Sequence, residues 1–327
     1  MAAPARLHAF DHLKAAAIVA VVFTHAGPDS WFVEGSSAVW FLTKSWTVFH
    51  VPSFLFVSGF LYAKPQPIAA STVAARLFRV VLPYLVWSCI AQASGLSGAT
   101  GSKEMLHQLV TASSLGVYYY AMLISGCILL MLPLSFLGRR GALALWCAYT
   151  AYSVGAVVWP GWMTGDTLFW LMREPLQLYA FGYFLTGWLA ALWRPELSAW
   201  VRRHPVPAVV GSSLLATLGL LLVAGWTPWS FGYFDRAVYT FGVVSSCALL
   251  LSSRPASRAE RFLADATLGI YLSHFLFILW LRPWVADWPE GPRVAALVAA
   301  GLAGGIGLCW LARRALGPSR ASRWLGA

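Results

Sequence analysis

Long apolar runs follow one another along the chain, separated by short segments rich in Pro, Gly and charged residues. Each run approaches the roughly 20 residues that a helix needs to cross the hydrocarbon of a bilayer. A spanning segment without the alternation of a closed barrel must satisfy its backbone hydrogen bonds as a helix. We therefore predict an all-α polytopic membrane protein of about ten transmembrane helices, folded as a single transmembrane domain over residues 1–327. The predicted spans are residues 12–28, 45–63, 78–96, 114–137, 141–159, 175–193, 206–225, 234–252, 265–282 and 293–314.

The composition supports this pattern, because 59% of the residues are hydrophobic and only 11% are charged. Soluble domains average about 45–50% apolar and about 25% charged residues, so a soluble fold is excluded. The net charge is +11, but the basic residues lie in short inter-helix segments, which indicates the positive-inside rule rather than a nucleic-acid partner. In the predicted topology most of the basic residues lie on the side of the membrane that holds both termini. Lys44 and Arg282 lie on the opposite side, which is more acidic. Both termini are therefore predicted to be cytoplasmic.

Two ionisable residues, Lys14 and His25, lie within the first apolar run. We read this run as a retained transmembrane helix, where such groups are costly and usually functional. Eleven helical steps span about 16 Å and bring the second side chain to within about 20° of the first, so one cleft could contact both. Alternatively, Lys14 is a snorkelling base at the inner edge of the span and His25 a hydrogen-bonded histidine of the bundle.

Two further histidines lie in predicted spans. His50 enters the second span at a depth comparable with that of His25, so it is either a second functional imidazole or a packing partner. In the same run Ser58 and Gly59 permit close contact between helices. His274 lies well inside the ninth span, with a role in the site and a satisfied bundle histidine as equal alternatives.

A basic pair, Arg76 and Arg79, precedes Pro83 and Tyr84 at the cytoplasmic entry of the third span. Arginines at positions i and i+3 share a helical face, and their guanidinium forks match phosphate oxygens. The alternative is an ordinary positive anchor of the span. The five cysteines lie singly, without the spacing of a metal site, so we predict no metal.

These motifs, in this order, resemble acyltransferase family 3, the integral-membrane enzymes that acylate sugars of cell-surface polysaccharides, glycolipids and antibiotics. The resemblance covers the whole chain. Its parts are Phe10-Asp11-His12-Leu13-Lys14 followed by His25, the run from His50 to Leu61, the Arg76/Arg79 pair before Pro83-Tyr84, and Leu268-Gly269-Ile270-Tyr271-Leu272-Ser273-His274. The family implies transfer of an acyl group, commonly acetyl, from cytoplasmic acyl-coenzyme A to a hydroxyl at the outer side of the membrane.

By this resemblance His25 is the catalytic base, and Lys14, Arg76 and Arg79 are contacts of coenzyme A. The family often has Arg where this chain has Lys14, and lysine keeps the charge but lacks the bidentate fork. A neutral imidazole can take the proton of a sugar hydroxyl as the oxygen attacks a thioester. Ser58, Tyr84 or a backbone amide could supply oxyanion donors. Asp29 and Glu34 are the nearest carboxylates that could orient the imidazole, or they are exposed loop charges.

The predicted function is thus an O-acyltransferase in the bacterial cytoplasmic membrane. It uses acyl-coenzyme A as donor substrate, acts on a carbohydrate or glycolipid acceptor, and contacts membrane lipids. An alternative is a transporter or flippase of a polar lipid-linked sugar, in which His25 relays protons. The absence of a recognisable internal repeat disfavours it. A structural scaffold of a polysaccharide-synthesis complex would leave Lys14 and His25 without a role.

Overall fold

A computed structural model describes residues 6–27, 38–64, 66–158, 180–226 and 233–327. Helices account for nearly all regular structure in these ranges, and no strand occurs in them, so the all-α prediction is confirmed. The described residues form two compact units. The first comprises Met1–Ser53, Val201–Ala321 and Ala327, and the second comprises Phe54–Trp200 and Ser322–Gly326. The single-domain prediction stays a prediction.

The first unit is built around the helix His8–Ala26, here called α1. Its apolar residues Ala17, Ile18 and Val21 are fully buried, as expected of a helix with partners on several sides. It contacts the helices Tyr233–Leu250, Arg258–Asp265, Thr267–Leu281 and Glu290–Leu316 and the segment 41–49. The remaining described elements of this unit are the helix Pro205–Val223, the helical turn Ala38–Trp40 and the 3₁₀ turn Arg282–Val285.

The helix Thr267–Leu281, here called the His274 helix, is held against Glu290–Leu316 through glycines of the latter. Gly304 faces the ring of Phe277, and Gly305 faces Ile270, so a side chain at either position would meet the His274 helix. Small residues allow helices to approach closely inside membranes. Towards the carboxyl end of α1, Val22 packs with Ile278 and Leu297. These contacts fix the His274 helix beside α1.

An irregular helical segment precedes His50. It is π-helical over Phe41–Ser45 and 3₁₀-helical over Trp46–Phe49, before regular α-helix begins at His50. Hydrogen bonds from polar side chains to the carbonyls of this segment stabilise its irregular geometry. Thr47 donates to the Thr43 carbonyl at 3.0 Å, and Tyr239 donates to the Trp46 carbonyl at 3.0 Å. Such local departures from α-helix re-aim side chains, and they recur at functional sites.

The second unit packs its helices through close backbone contacts. Gly59 meets the Phe184 carbonyl, and Gly187 meets the Phe56 carbonyl, so each glycine admits the opposing helix. This confirms the predicted close contact at Gly59. The described elements that lie wholly in this unit are the helices Ala70–Ala93, Ser102–Thr111, Tyr119–Phe136, Gly138–Val158 and Phe181–Leu192 and the 3₁₀ turn Gly116–Tyr118. Three further helices have residues in both units: His50–Tyr62, Arg194–Arg203 and Pro318–Leu325.

Six stretches of the described chain are helical, long and apolar enough to cross a membrane. They are His8–Ala26, Ala70–Ala93, Ser102–Phe136, Pro205–Val223, Thr267–Val285 and Glu290–Leu316. A helix lies in each of the ten ranges predicted to span, but several of these helices are short, such as His50–Tyr62 with 13 residues. The count of ten spans and the cytoplasmic location of both termini therefore stay predictions.

Candidate active site

His25 lies in the last turn of α1. Its ring is half-buried and meets two rings of the His274 helix: the centroid of the His274 ring is 5.3 Å away, and that of Phe275 is 5.5 Å away. The strongest electrostatic neighbours of His25 are the two histidines His274 and His50 and the two cations Lys44 and Arg282. The structure thus brings together all three histidines that the sequence placed in predicted spans.

His274 is fully buried, and its two ring nitrogens have different surroundings. Nδ1 lies 2.7 Å from the Tyr271 carbonyl oxygen and 3.1 Å from the Ile270 carbonyl oxygen. Carbonyls only accept hydrogen bonds, so Nδ1 carries the proton and Nε2 presents a lone pair. Nε2 is buried and has no hydrogen-bond partner among the residues that the structure describes.

His50 is also buried, at the start of its α-helix. Its Nδ1 donates to the Thr47 carbonyl, which also accepts from the His50 backbone N–H. This bond leaves the lone pair of the ring on Nε2. The irregular turn before His50 therefore fixes the orientation of its imidazole.

Two cations stand at the carboxyl end of α1. The Lys44 side chain is buried, and its Nζ donates to the Thr24 carbonyl at 3.0 Å. Arg282 donates to the His25 carbonyl at 3.4 Å. The carbonyl end of a helix carries a partial negative charge that cations stabilise. No sequence pattern predicts this arrangement, since both residues resemble ordinary charges between spans.

The amino end of α1 is surrounded by paired charges. Arg6 bonds to both Asp11, at 2.6 Å, and Asp265, at 2.9 Å, and these carboxylates raise the pKa of its guanidinium. Lys14 is half-buried, and its strongest electrostatic neighbours are Asp265, Asp11 and Arg6. The predicted coenzyme-A contact at Lys14 thus lies next to an ion-pair network, on the same continuous helix as His25.

His12 ties this end of α1 to the helix Arg258–Asp265. Its Nδ1 bonds to the Glu260 carboxylate at 2.8 Å, and its Nε2 bonds to the Arg254 carbonyl at 3.1 Å. Glu260 also closes a capping box with Ser257. The hydrogen bonds from the Ser257 side chain and backbone, together with that from His12, lower the pKa of Glu260 from 4.5 to about 2.

In the second unit, Arg76 and Arg79 occupy one face of the helix Ala70–Ala93, near Tyr62. The guanidinium carbon of Arg76 lies 4.1 Å from the centre of the Tyr62 ring, and its Nη1 lies 3.7 Å from the sulfur of Met131. Stacking on an aromatic face leaves the edge of a guanidinium, with its donors, open to an anion. Arg79 is exposed.

The two hydroxyls suggested as oxyanion donors also belong to the second unit. The Tyr84 hydroxyl donates to the Leu109 carbonyl at 2.6 Å, so its proton is already in use. Ser58 is half-buried beside the Tyr120 hydroxyl. Either donor role stays a prediction, and for Tyr84 it requires the exchange of an existing hydrogen bond.

Asp29 and Glu34, the two carboxylates considered as partners of His25, lie outside the described residues. Within the described part of the chain, no three His, Cys, Asp or Glu side chains converge in a way that could hold a metal ion. The absence of a metal in the reaction remains a prediction. The ring of His274, which contacts that of His25, carries a nitrogen without a partner among the described residues.

The apolar helices and the buried histidines define a helical membrane protein with an imidazole site. The family model described as an acyltransferase domain, that of acyltransferase family 3, matches residues 7–314, nearly the whole chain. The chain therefore belongs to acyltransferase family 3, as its motifs predict, and is a membrane acyltransferase. No match was found among curated proteins or among solved structures.

Proposed function

We propose that this protein transfers an acyl group, with acetyl as the expected group, from acyl-coenzyme A to a hydroxyl of a cell-surface or lipid-linked carbohydrate. The proposed setting is the bacterial cytoplasmic membrane, with both termini in the cytoplasm. One observation carries the proposal: in a chain of the acyltransferase family, a half-buried His25 lies among two imidazoles and two cations at the end of an apolar helix. A base and a positive field are what acyl transfer from a thioester requires.

In the proposed reaction His25 takes the proton of the acceptor hydroxyl as the oxygen bonds to the thioester carbonyl carbon. The carbon–sulfur bond then breaks, and His25 returns the proton to the sulfur, so that the ester and the free thiol of coenzyme A are released. Lys44 and Arg282, held at the carbonyls of Thr24 and His25, supply positive charge that favours the negative oxygen of the intermediate. No residue changes its net protonation over the cycle.

Coenzyme A is proposed to bind through its phosphates to Arg76 and Arg79. Their i, i+3 spacing presents two guanidinium groups on one face, and stacking on Tyr62 orients that of Arg76. Lys14 supplies a further positive charge. It precedes His25 by about 16 Å along α1, an interval that an extended pantetheine arm can cover.

The test compares cells with and without the gene, followed by cells that carry variants. Mass spectrometry of surface glycans and glycolipids is expected to find one added acyl mass per modified hydroxyl in cells with the gene. His25→Ala should abolish this modification, whereas His107→Ala, at an exposed histidine, should leave it unchanged. Retained modification in a folded, membrane-inserted His25→Ala protein contradicts the proposal. Movement of a lipid-linked sugar without an acyl donor would instead support a flippase.

A further inference from the structure

We propose that His274 is a positioning residue: its Nε2 accepts a hydrogen bond from one ring N–H of His25 and so keeps the other ring nitrogen of His25 free to take the hydroxyl proton. This inference rests on the proposed role of His25 as the base. It assigns to an imidazole the orienting function for which the sequence suggests Asp29 or Glu34.

The first observation is the unsatisfied nitrogen of His274. Nδ1 of this ring is committed to two carbonyls of its own helix, while Nε2 has no partner among the described residues although the residue is fully buried. Leaving a buried acceptor unpaired destabilises a folded protein. In folded proteins such groups usually form a hydrogen bond with a ligand, a water or a neighbouring donor. Among the described rings that contact the His274 ring, that of His25 is the nearest one that can donate a hydrogen bond.

The second observation is the geometry of the two rings. Their centroids are 5.3 Å apart and their planes are inclined by 43°. The two rings are therefore neighbours, and a hydrogen bond between them requires a reorientation of the His25 ring from its position in this structure. His25 is half-buried, whereas His274 is fully buried and bonded to two carbonyls of its own helix.

The chemistry requires a defined tautomer of His25. A neutral imidazole has one N–H and one lone pair, and only the nitrogen with the lone pair can accept a proton from the substrate. A bond from His25 N–H to His274 Nε2 makes one tautomer the favoured one. When His25 then takes the hydroxyl proton, the same bond stabilises the imidazolium until that proton passes to the thiolate. His274 keeps its own Nδ1 proton throughout.

Two matched substitutions separate positioning from packing. His274→Asn keeps a donor near Nδ1 but removes the acceptor near Nε2, whereas His274→Gln places an amide oxygen near Nε2. We expect kcat to fall about 10²-fold in His274→Asn and less than about 10-fold in His274→Gln, with the KM for the acyl donor unchanged in both. Equal losses in the two variants, or a wild-type kcat in His274→Asn, would overturn the proposal.

A second measurement does not depend on turnover. In protein labelled with ¹⁵N-histidine in lipid, the nitrogen shifts of His25, assigned by their loss in His25→Phe, should report a single tautomer in an N–H···N bond. In His274→Asn they should report a mixture, and an unchanged tautomer there overturns the inference. If the wild-type protein transfers no acyl group while this tautomer still depends on His274, the proposed function fails but the hydrogen bond stands.

Discussion

The polar groups at the two ends of α1 differ in whether they have hydrogen-bond and ion-pair partners. At the amino end, Arg6, Asp11 and His12 are matched with carboxylates, bases and carbonyls of the first unit. At the carboxyl end, His25 stands among imidazoles and cations, and the Nε2 atom of His274 has no described partner. Matched charges stabilise a fold, whereas an unmatched buried nitrogen lowers stability unless something else binds it.

This contrast separates two kinds of buried polar residue that the sequence alone cannot distinguish. His12 and His274 are both buried histidines on helices of the first unit. Only the first has a described partner at each ring nitrogen. We therefore expect substitutions at the amino end to change stability and those at the carboxyl end to change turnover. Three experiments test this division, and a fourth, at an exposed ion pair of the second unit, provides a comparison.

The largest effect is expected at Lys44. Lys44→Met should lower turnover about 10²-fold, because it removes a positive charge beside the site where the thioester oxygen becomes negative. Thermal stability in detergent should not fall, since methionine fills similar volume without the cost of burying an ammonium group. Lys103→Met, at an exposed position, is the control. If Lys44→Met instead lowered stability and left turnover per folded molecule normal, the charge of Lys44 would have a structural role and no role in the reaction.

The next effect is expected at His12. His12→Phe keeps a ring but loses both hydrogen bonds, so it should lower the free energy of unfolding by about 2 kcal/mol. Turnover per folded molecule should stay at the wild-type value. Thermal unfolding and acyl transfer are measured on the same preparation, with His107→Phe as the control. A selective loss of turnover would mean that the amino end also takes part in the reaction.

A smaller, pH-dependent effect is expected at Glu260. Since folding lowers the pKa of its carboxyl from 4.5 to about 2, the ionised group stabilises the protein above pH 4.5. This contribution is lost as the pH falls from about 4.5 to about 2. Glu260→Gln preserves the capping box but not the charge, so it should cost about 1 kcal/mol at pH 7. Its melting temperature should approach that of the wild type over that window, and a constant difference would contradict the assignment.

The smallest effect is expected for the pair Arg139 and Glu196, which bonds at 2.5 Å with about half of each side chain exposed. Exposed ion pairs contribute little because water screens them. Arg139→Ala should therefore leave the melting temperature and turnover unchanged, although its distance is shorter than that of His12 to Glu260. A marked loss would show that distance, rather than burial, decides which charges stabilise this protein.

The sequence allowed the helical class and the first histidine to be predicted because both depend on local patterns. The predicted first span, residues 12–28, differs from α1 at its start because His8 to Asp11 are polar enough to resemble a loop. The residues that flank this turn, Arg6 and His12, have partners about 250 positions away, in the helix Arg258–Asp265. A window of neighbouring residues cannot contain that information.

The rest of the site was hidden for the same reason. Lys44 has the sequence surroundings of a loop charge, and only its bond to the Thr24 carbonyl shows that it is buried. His274 was equally consistent with a packing role, because nothing in its helix reveals that His25 lies opposite its ring. The helix Ser102–Thr111 was missed because it is too polar to predict a span.

The ties between α1 and the helix Arg258–Asp265 also constrain how the protein is made. Ribosomes release the amino end first, so Arg6 and His12 are synthesised before their partners among residues 254–265. Until then these polar groups need water, lipid headgroups or an insertase as temporary partners. Chains that terminate before residue 254 would lack these native partners.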